Sequence, residues 1–112
     1  MSKTSTFGMA LLLAATWNTD LMYEFGAALR QEALMYNITG WYSPAINLHR
    51  SLFSGRVFDY YSEDPLLSGM MAAAAIAGCM DNGMAVYSVL IFLKKALTSF
   101  CLYCIIHPSI VP

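Results

Sequence analysis

"DPLLSGMMAAAAIAGCMDNGMAVYSVLIFL", Asp64 to Leu93, is the stretch on which the fold turns. Asp64 before Pro65 is a helix start: a capping carboxylate, then a proline at the first helical position, where its missing N–H costs nothing. The run that follows has few turn formers, and its side chains at Gly69, Ala72 to Ala75, Ala77 and Gly78 are small. A helix with so little bulk can lie very close to a sheet. Asp81-Asn82-Gly83 ends it as a turn. Met84 to Leu93 is then ten residues without a charge. A strand of a parallel sheet, covered on both faces, reads as just such a run. A membrane span does not fit. It needs about 20 apolar residues in a row, and Lys94 and Lys95 interrupt before Ala96 to Ile106 turns apolar again. A lysine pair inside a span is costly, so no transmembrane helix is expected.

Upstream, Asn18-Thr19-Asp20 is a second helix start, with Asp20 in the favourable first turn. Leu21, Phe25, Ala28, Leu29 and Glu32 recur at three-and-four spacing, the apolar members giving one helix face, while Glu24, Arg30 and Gln31 keep other faces polar. Asn37 can adopt the left-handed conformation that closes a helix. The β-branched and aromatic content of "ITGWYSPAINL" predicts a strand from about Gly40 to Leu48, with Pro44 at a bulge or edge. "GMALLLAA", Gly8 to Ala15, could pass for a signal-peptide core behind Lys3, but Thr16-Trp17-Asn18 is not a clean cleavage site, and a strand-to-helix junction is preferred. From His49 to Asp64 no period holds, and Ser51, Ser54 and Gly55 favour turns. The order is strand, helix, strand, long loop, helix, strand. That alternation predicts an α/β fold with a parallel sheet.

Composition narrows the function. Apolar residues make up 58% of the 112 and charged residues 12%, against roughly 45–50% and about 25% in soluble domains. The chain is therefore membrane-associated, or a piece of something larger that covers its apolar faces. The net charge of -1 provides no basic stripe, so no nucleic-acid partner is expected. Cys101 and Cys104 are spaced C-x-x-C, but no second pair accompanies them. Cys79 makes the count odd, and the pair reads as two buried thiols in an apolar tail rather than a redox or zinc site. His49 has no metal partner at ligand spacing and reads as a loop hydrogen-bonding residue. No P-loop, Rossmann, zincin or nucleophile-elbow string is present, and no metal or cofactor is expected.

The scarce charge gathers in "GRVFDYYSEDP", Gly55 to Pro65. It falls in the long loop after a strand, where α/β proteins place their binding groups. Arg56 offers a rigid fork of donors for carboxylates, phosphates or sugar hydroxyls. Asp59, Glu63 and Asp64 accept. Tyr60, Tyr61, Trp41 and Tyr42 offer flat apolar faces with polar tips. Forks beside flat faces suit a carbohydrate. The competing reading is that Arg56 pairs with Asp59 or Glu63 only to hold the loop. Asp64 caps a helix under either.

"LAATWNTDLMYEFGAALRQEA", "GWYSPAINLHRS", "SGRVFDYYSEDPLLSG" and "MAAAAIAG", in this order, resemble the glycoside hydrolase family 3 N-terminal domain of the β-glucosidase type, over about residues 7 to 93. The resemblance implies a partial (β/α)8 TIM-type barrel of about two to three β/α units, spanning residues 1–97, with a divergent apolar tail at 98–112. It implies a retaining hydrolase acting on terminal β-linked glucose or related sugars, and hence a carbohydrate ligand. Retention uses two carboxyl groups about 5–5.5 Å apart. Arg56 takes the place of the family's sugar-binding arginine. Asp59 stands where a longer Glu is usual, as a supporting acid. Asn47, His49 and Arg50 match the strand end and loop that shape the pocket floor.

The departures fall downstream. "FLKKALTSF" places Lys94 at the family's sugar-binding lysine, but Lys95 stands where a histidine is expected and the following Phe is absent. The Ser-Asp-Trp segment of the nucleophile, the acid/base Glu and the opening acidic-Gly-Pro segment are not found. The resemblance thus implies a fragment that carries part of the sugar subsite and does not hydrolyse glycosides by itself. The alternative is a non-enzymatic apolar interaction protein or membrane-associated protein, with the tail as its working part. Flanking DNA that encodes the missing Lys-His-Phe and Ser-Asp-Trp motifs in another frame discriminates for the first; a real stop with partition of the chain into membranes discriminates for the second.

Overall fold

The Asn18 side chain opens the first long helix as its sequence requires: Oδ1 accepts from the Leu21 N–H at 3.1 Å. The computed structural model describes residues 4–88. In chain order it has α1 (Ala10–Ala14), α2 (Thr19–Met35), β1 (Gly40–Trp41), a 3-10 turn (Val57–Asp59), α3 (Pro65–Asp81) and β2 (Ala85–Val86). Asp64 caps α3 through Oδ1, which accepts from the Leu66 N–H at 3.0 Å, with Pro65 in the first turn.

Both long helices end by the same device. After α2, Asn37 enters the left-handed region at φ 55°. Its N–H reaches the Leu34 carbonyl at 3.3 Å, and the Ile38 N–H reaches Ala33 at 2.9 Å. After α3, Gly83 at φ 80° does the same, with Gly83 N–H on Met80 at 2.8 Å and Met84 N–H on Cys79 at 3.1 Å. This crossed pair satisfies the last carbonyls of each helix and turns the chain into the strand that follows.

The two strands are parallel and adjacent, Gly40 opposite Ala85 and Trp41 opposite Val86. The Ala85 N–H donates to Thr39 at 3.1 Å and the Tyr87 N–H to Trp41 at 2.8 Å. A parallel neighbour demands a crossover, supplied here by the long loop and α3. The chain is therefore a small α/β unit, as its alternation predicts.

Three expectations are corrected. The N-terminal "ALLLA" forms the short helix α1 rather than a strand, because Ala and Leu are strong helix formers with no β-branched residue among them. The strand expected over Gly40–Leu48 stops at Trp41. Pro44 has no N–H for a ladder, and Pro44, Ala45 and Ile46 are instead buried. The small residues of α3 bring it closest to α2 rather than to the sheet. A Cβ on Gly26 would overlap the Ala75 carbonyl oxygen, and one on Gly78 would overlap that of Tyr23. The Cys79 thiol donates to the Gly26 carbonyl at 3.2 Å across this contact.

The core lies along the same seam. Met22, Met71, Ala72, Ala75 and Ile76 are buried, joined by Ala14 from α1 and by Ile46 and Tyr61 from the loop. The strand expected over Met84–Leu93 is described only as far as Ser88. Lys94, Lys95, Cys101, Cys104, His107 and the domain boundary at 97/98 lie outside the described residues. Among the described residues no helix is long and apolar enough to cross a membrane.

Candidate functional site

The segment between β1 and α3 is an ordered loop because its own side chains bond its backbone. The His49 N–H donates to the Ser62 carbonyl at 3.2 Å, tying the loop's two limbs together. The His49 ring places Nε2 2.8 Å from the Val57 carbonyl. A carbonyl only accepts, so Nε2 carries the proton. The ring also leans on Tyr60, with centroids 5.9 Å apart. Asn47 Nδ2 donates to the Tyr60 hydroxyl at 3.2 Å. Ser62 serves twice more: its hydroxyl accepts from the Asp64 N–H at 3.0 Å, and its carbonyl accepts from the buried Ser68 hydroxyl at 3.3 Å. His49 is the loop hydrogen-bonding residue that its sequence context implies. Arg50 is exposed, and its N–H reaches back to the Leu48 carbonyl at 2.9 Å.

On this frame the 3-10 turn sets Arg56 against Asp59, three residues apart. Nε donates to Asp59 Oδ2 at 2.8 Å, and Nη2 lies 2.7 Å from the same oxygen. Of the two acids that could hold Arg56, Asp59 is the one engaged. Because both contacts converge on one oxygen, most of the guanidinium's N–H donors fall outside the pair. The arginine side chain is 47% exposed. Such a pair contributes at most about 1 kcal/mol to stability. It orients the arginine far more than it stabilises the fold.

The aromatic faces are sorted differently from their sequence reading. Tyr60 and Tyr61 are buried, so neither ring offers a face to a ligand. Burial pushes the Tyr61 hydroxyl well above the ordinary tyrosine range. Trp41 packs beneath the helices with Ala33, Cys79 and Met84, its ring 6.2 Å from Phe25. Of the four, Tyr42 alone is exposed. It stacks on Tyr87, centroids 5.1 Å apart and planes 20° from parallel. The loop tip adds Leu52 and Phe53, both almost wholly exposed, and Phe58 is exposed beside Arg56. Sequence reasoning passed over Leu52, Phe53 and Tyr87, and noted Phe58 only as a neighbour of the charged cluster. Alternation along β2 is the signal that separates Tyr87 from the buried side of the strand. No periodic signal marks the tip of an aperiodic loop.

The structure thus brings together Arg56 and Asp59, and separately Asn47 and His49 with Tyr60, on one loop at the carboxyl end of β1. Lys94, expected beside them, lies outside the described residues. An oriented arginine over a loop held by its own hydrogen bonds can receive an anion or a set of hydroxyls.

A model of the family described as the glycosyl hydrolase family 3 N terminal domain matches residues 1–90. The chain is 48% identical over 81 residues to β-glucosidase A of Butyrivibrio fibrisolvens, covering 72% of this chain and 10% of that protein. It is 44% identical over 72 residues to the probable β-glucosidase H of Aspergillus clavatus, covering 64% of this chain and 9% of that one. Among solved structures it is similar to β-glucosidase 3B of Thermotoga neapolitana in complex with α-D-glucose, with a TM-score of 0.73 and 38% identity. That match covers 77% of this chain and 12% of the other. The chain spans about a tenth of the length of the relatives it matches.

Proposed function

The chain belongs to the glycosyl hydrolase family 3 N-terminal-domain family, and from that premise we propose that it is part of the sugar-binding wall of a retaining β-glucosidase-type hydrolase. Its β–loop–α–β unit contributes two to three units of a (β/α)8 barrel. Arg56 donates to hydroxyls of the terminal β-linked sugar, and Asp59 positions it. Asn47 and His49, bonded to Tyr60 and Val57, hold the loop, and Arg50 belongs to the same floor. Lys94 adds a second sugar contact. The 112-residue chain alone does not hydrolyse glycosides: Asp59 and Asp64 are engaged by Arg56 and by the first turn of α3, Glu63 by itself makes no carboxyl pair, and the motifs that carry the family's nucleophile and acid/base are not found in its sequence.

The observation that carries this reading is the Arg56–Asp59 pair, in which one oxygen takes both contacts, most of the guanidinium's donors fall outside the pair, and the side chain is half exposed. The glucose held by the T. neapolitana relative supports a sugar as the ligand.

The test is a chimera: the Butyrivibrio β-glucosidase A with its matching segment replaced by this one. Arg56→Ala should lower kcat/KM for an aryl β-glucoside by about 10- to 100-fold, the range expected for losing hydrogen bonds from a charged donor. Arg56→Lys should recover only part, since an ammonium lacks the planar fork. An active chimera indifferent to Arg56→Ala would overturn the assignment.

A further inference from the structure

Arg30 sits in the second-to-last turn of α2, half-buried. Its guanidinium reaches backbone on two different connections. Nε donates to the Asn82 carbonyl at 3.0 Å, and Nη1 donates to the Ile38 carbonyl at 3.2 Å. Ile38 follows α2 and stands just before β1; Asn82 follows α3 and stands just before β2. Both carbonyls lie at helix ends, where a cation is favoured. Two donors at fixed angles on one planar group meet two acceptors, which a guanidinium can do and an ammonium cannot. What the contact holds is register. Each strand has two residues, so the ladder between them is short. A one-residue slip would move one carbonyl about 3.3 Å along the pair, out of reach of a guanidinium bonded to the other. It would also turn Trp41 or Val86 out of the helix layer. With Gly40 opposite Ala85, one side chain holds both chains at once.

We infer that Arg30 is a positioning residue for sugar binding: it locks the register of β1 against β2, and β1 delivers the loop that carries Arg56. The inference rests on the sugar-binding reading above. Arg30 fastens the chain upstream of both strands, whereas the loop leaves the carboxyl end of β1, so Arg30 touches no sugar and acts through the strand pair. The competing account is that its charge only offsets the two helix ends. In that case any cation would serve, and its removal would register in stability alone.

The experiment uses the β-glucosidase A chimera. Arg30→Lys keeps the charge without the fork, and Arg30→Met keeps only an apolar stem. Hydrogen–deuterium exchange at residues 38–43 and 83–88 should quicken about 10-fold or more in Arg30→Met, the range for losing bonds from a charged donor, while the middle of α3 keeps its parental rate. With an aryl β-glucoside, kcat/KM should fall about 10-fold in both variants, chiefly through KM. Asp64→Ala is the stability control: it weakens a helix start away from the strand pair and should leave KM unchanged at a temperature where circular dichroism shows every variant folded. Arg30→Lys carries the test alone if Arg30→Met does not fold. Parental KM in Arg30→Lys, parental exchange at both strands, or an equal rise of KM in Asp64→Ala would each overturn the inference. Arg56→Ala separates it from the sugar-binding reading, since that change should lower kcat/KM and leave strand exchange at the parental rate.

Discussion

Two aspartates five residues apart do different work, and substitution should separate them. Asp64 caps α3 through the Leu66 N–H. Asp64→Ala should lower stability by about 1 kcal/mol, read as a drop in Tm, with no effect on sugar recognition beyond that. Asp59 holds the exposed Arg56. Asp59→Ala should barely move Tm, because exposed pairs contribute little, yet weaken glycoside hydrolysis in the chimera by loosening the arginine. The cap was legible in the sequence because Asp-Pro is a local rule. Which of Asp59 and Glu63 could pair with Arg56 was open, and the turn at Val57–Asp59 answered it by bringing position i+3 within reach. Cys79 gives a third test at this scale. Burial pushes its thiol up to about 11, with Arg30 opposing in part. A thiol whose folded value is raised above the unfolded one stabilises fully below the unfolded value, and that contribution is lost as pH climbs through the folded one. The unfolded chain releases its proton first, near pH 9, so stability should fall between about pH 9 and 11. Denaturant midpoints across that window should decline for the parent chain and decline less for Cys79→Ala.

Among the elements, the α2–α3 contact is the one on which the others depend. Gly26 and Gly78 are reciprocal. Each faces a backbone carbonyl of the other helix where a Cβ would overlap it, and the Cys79 thiol bonds across the gap. Backbone cannot swing aside as a side chain does, so Gly26→Ala or Gly78→Ala must push the helices apart. Each should cost about 1–3 kcal/mol or more, although alanine favours a helix over glycine by up to about 1 kcal/mol. Urea unfolding of either variant at or above parental stability would contradict the packing. Both helices, their starts and their closing residues Asn37 and Gly83 were readable from local chemistry. The destination of the small α3 face was not. Composition says that a surface admits close approach, and nothing local says to which neighbour. β1 was overread for a related reason: aromatic and β-branched content favours extended backbone, but Pro44 removes the donor that a ladder needs. α1 was misread because a short apolar run satisfies a buried strand and a buried helix alike.

At the scale of the whole molecule, a site is a property of everything that surrounds it. Retaining hydrolysis needs two carboxyl groups about 5–5.5 Å apart on either side of the scissile bond. One must be an unencumbered nucleophile and the other a proton donor. Two of the three acids of the long loop are already engaged, and the third, the exposed Glu63, cannot by itself supply the pair. Asp59 accepts from Arg56, and Asp64 accepts from the first turn of α3. Recruiting either would unmake a contact that the loop or the helix start uses. The loop instead orients one exposed cation, Arg56, through Asp59. On the proposed reading, the purified 112-residue chain should release no aglycone from an aryl β-glucoside above the buffer background at any pH from 4 to 8. The same segment inside the chimera should turn over. Hydrolysis by the isolated chain that Arg56→Ala abolishes would show that the chain holds a complete site, and the reading of it as one wall of a larger one would fall.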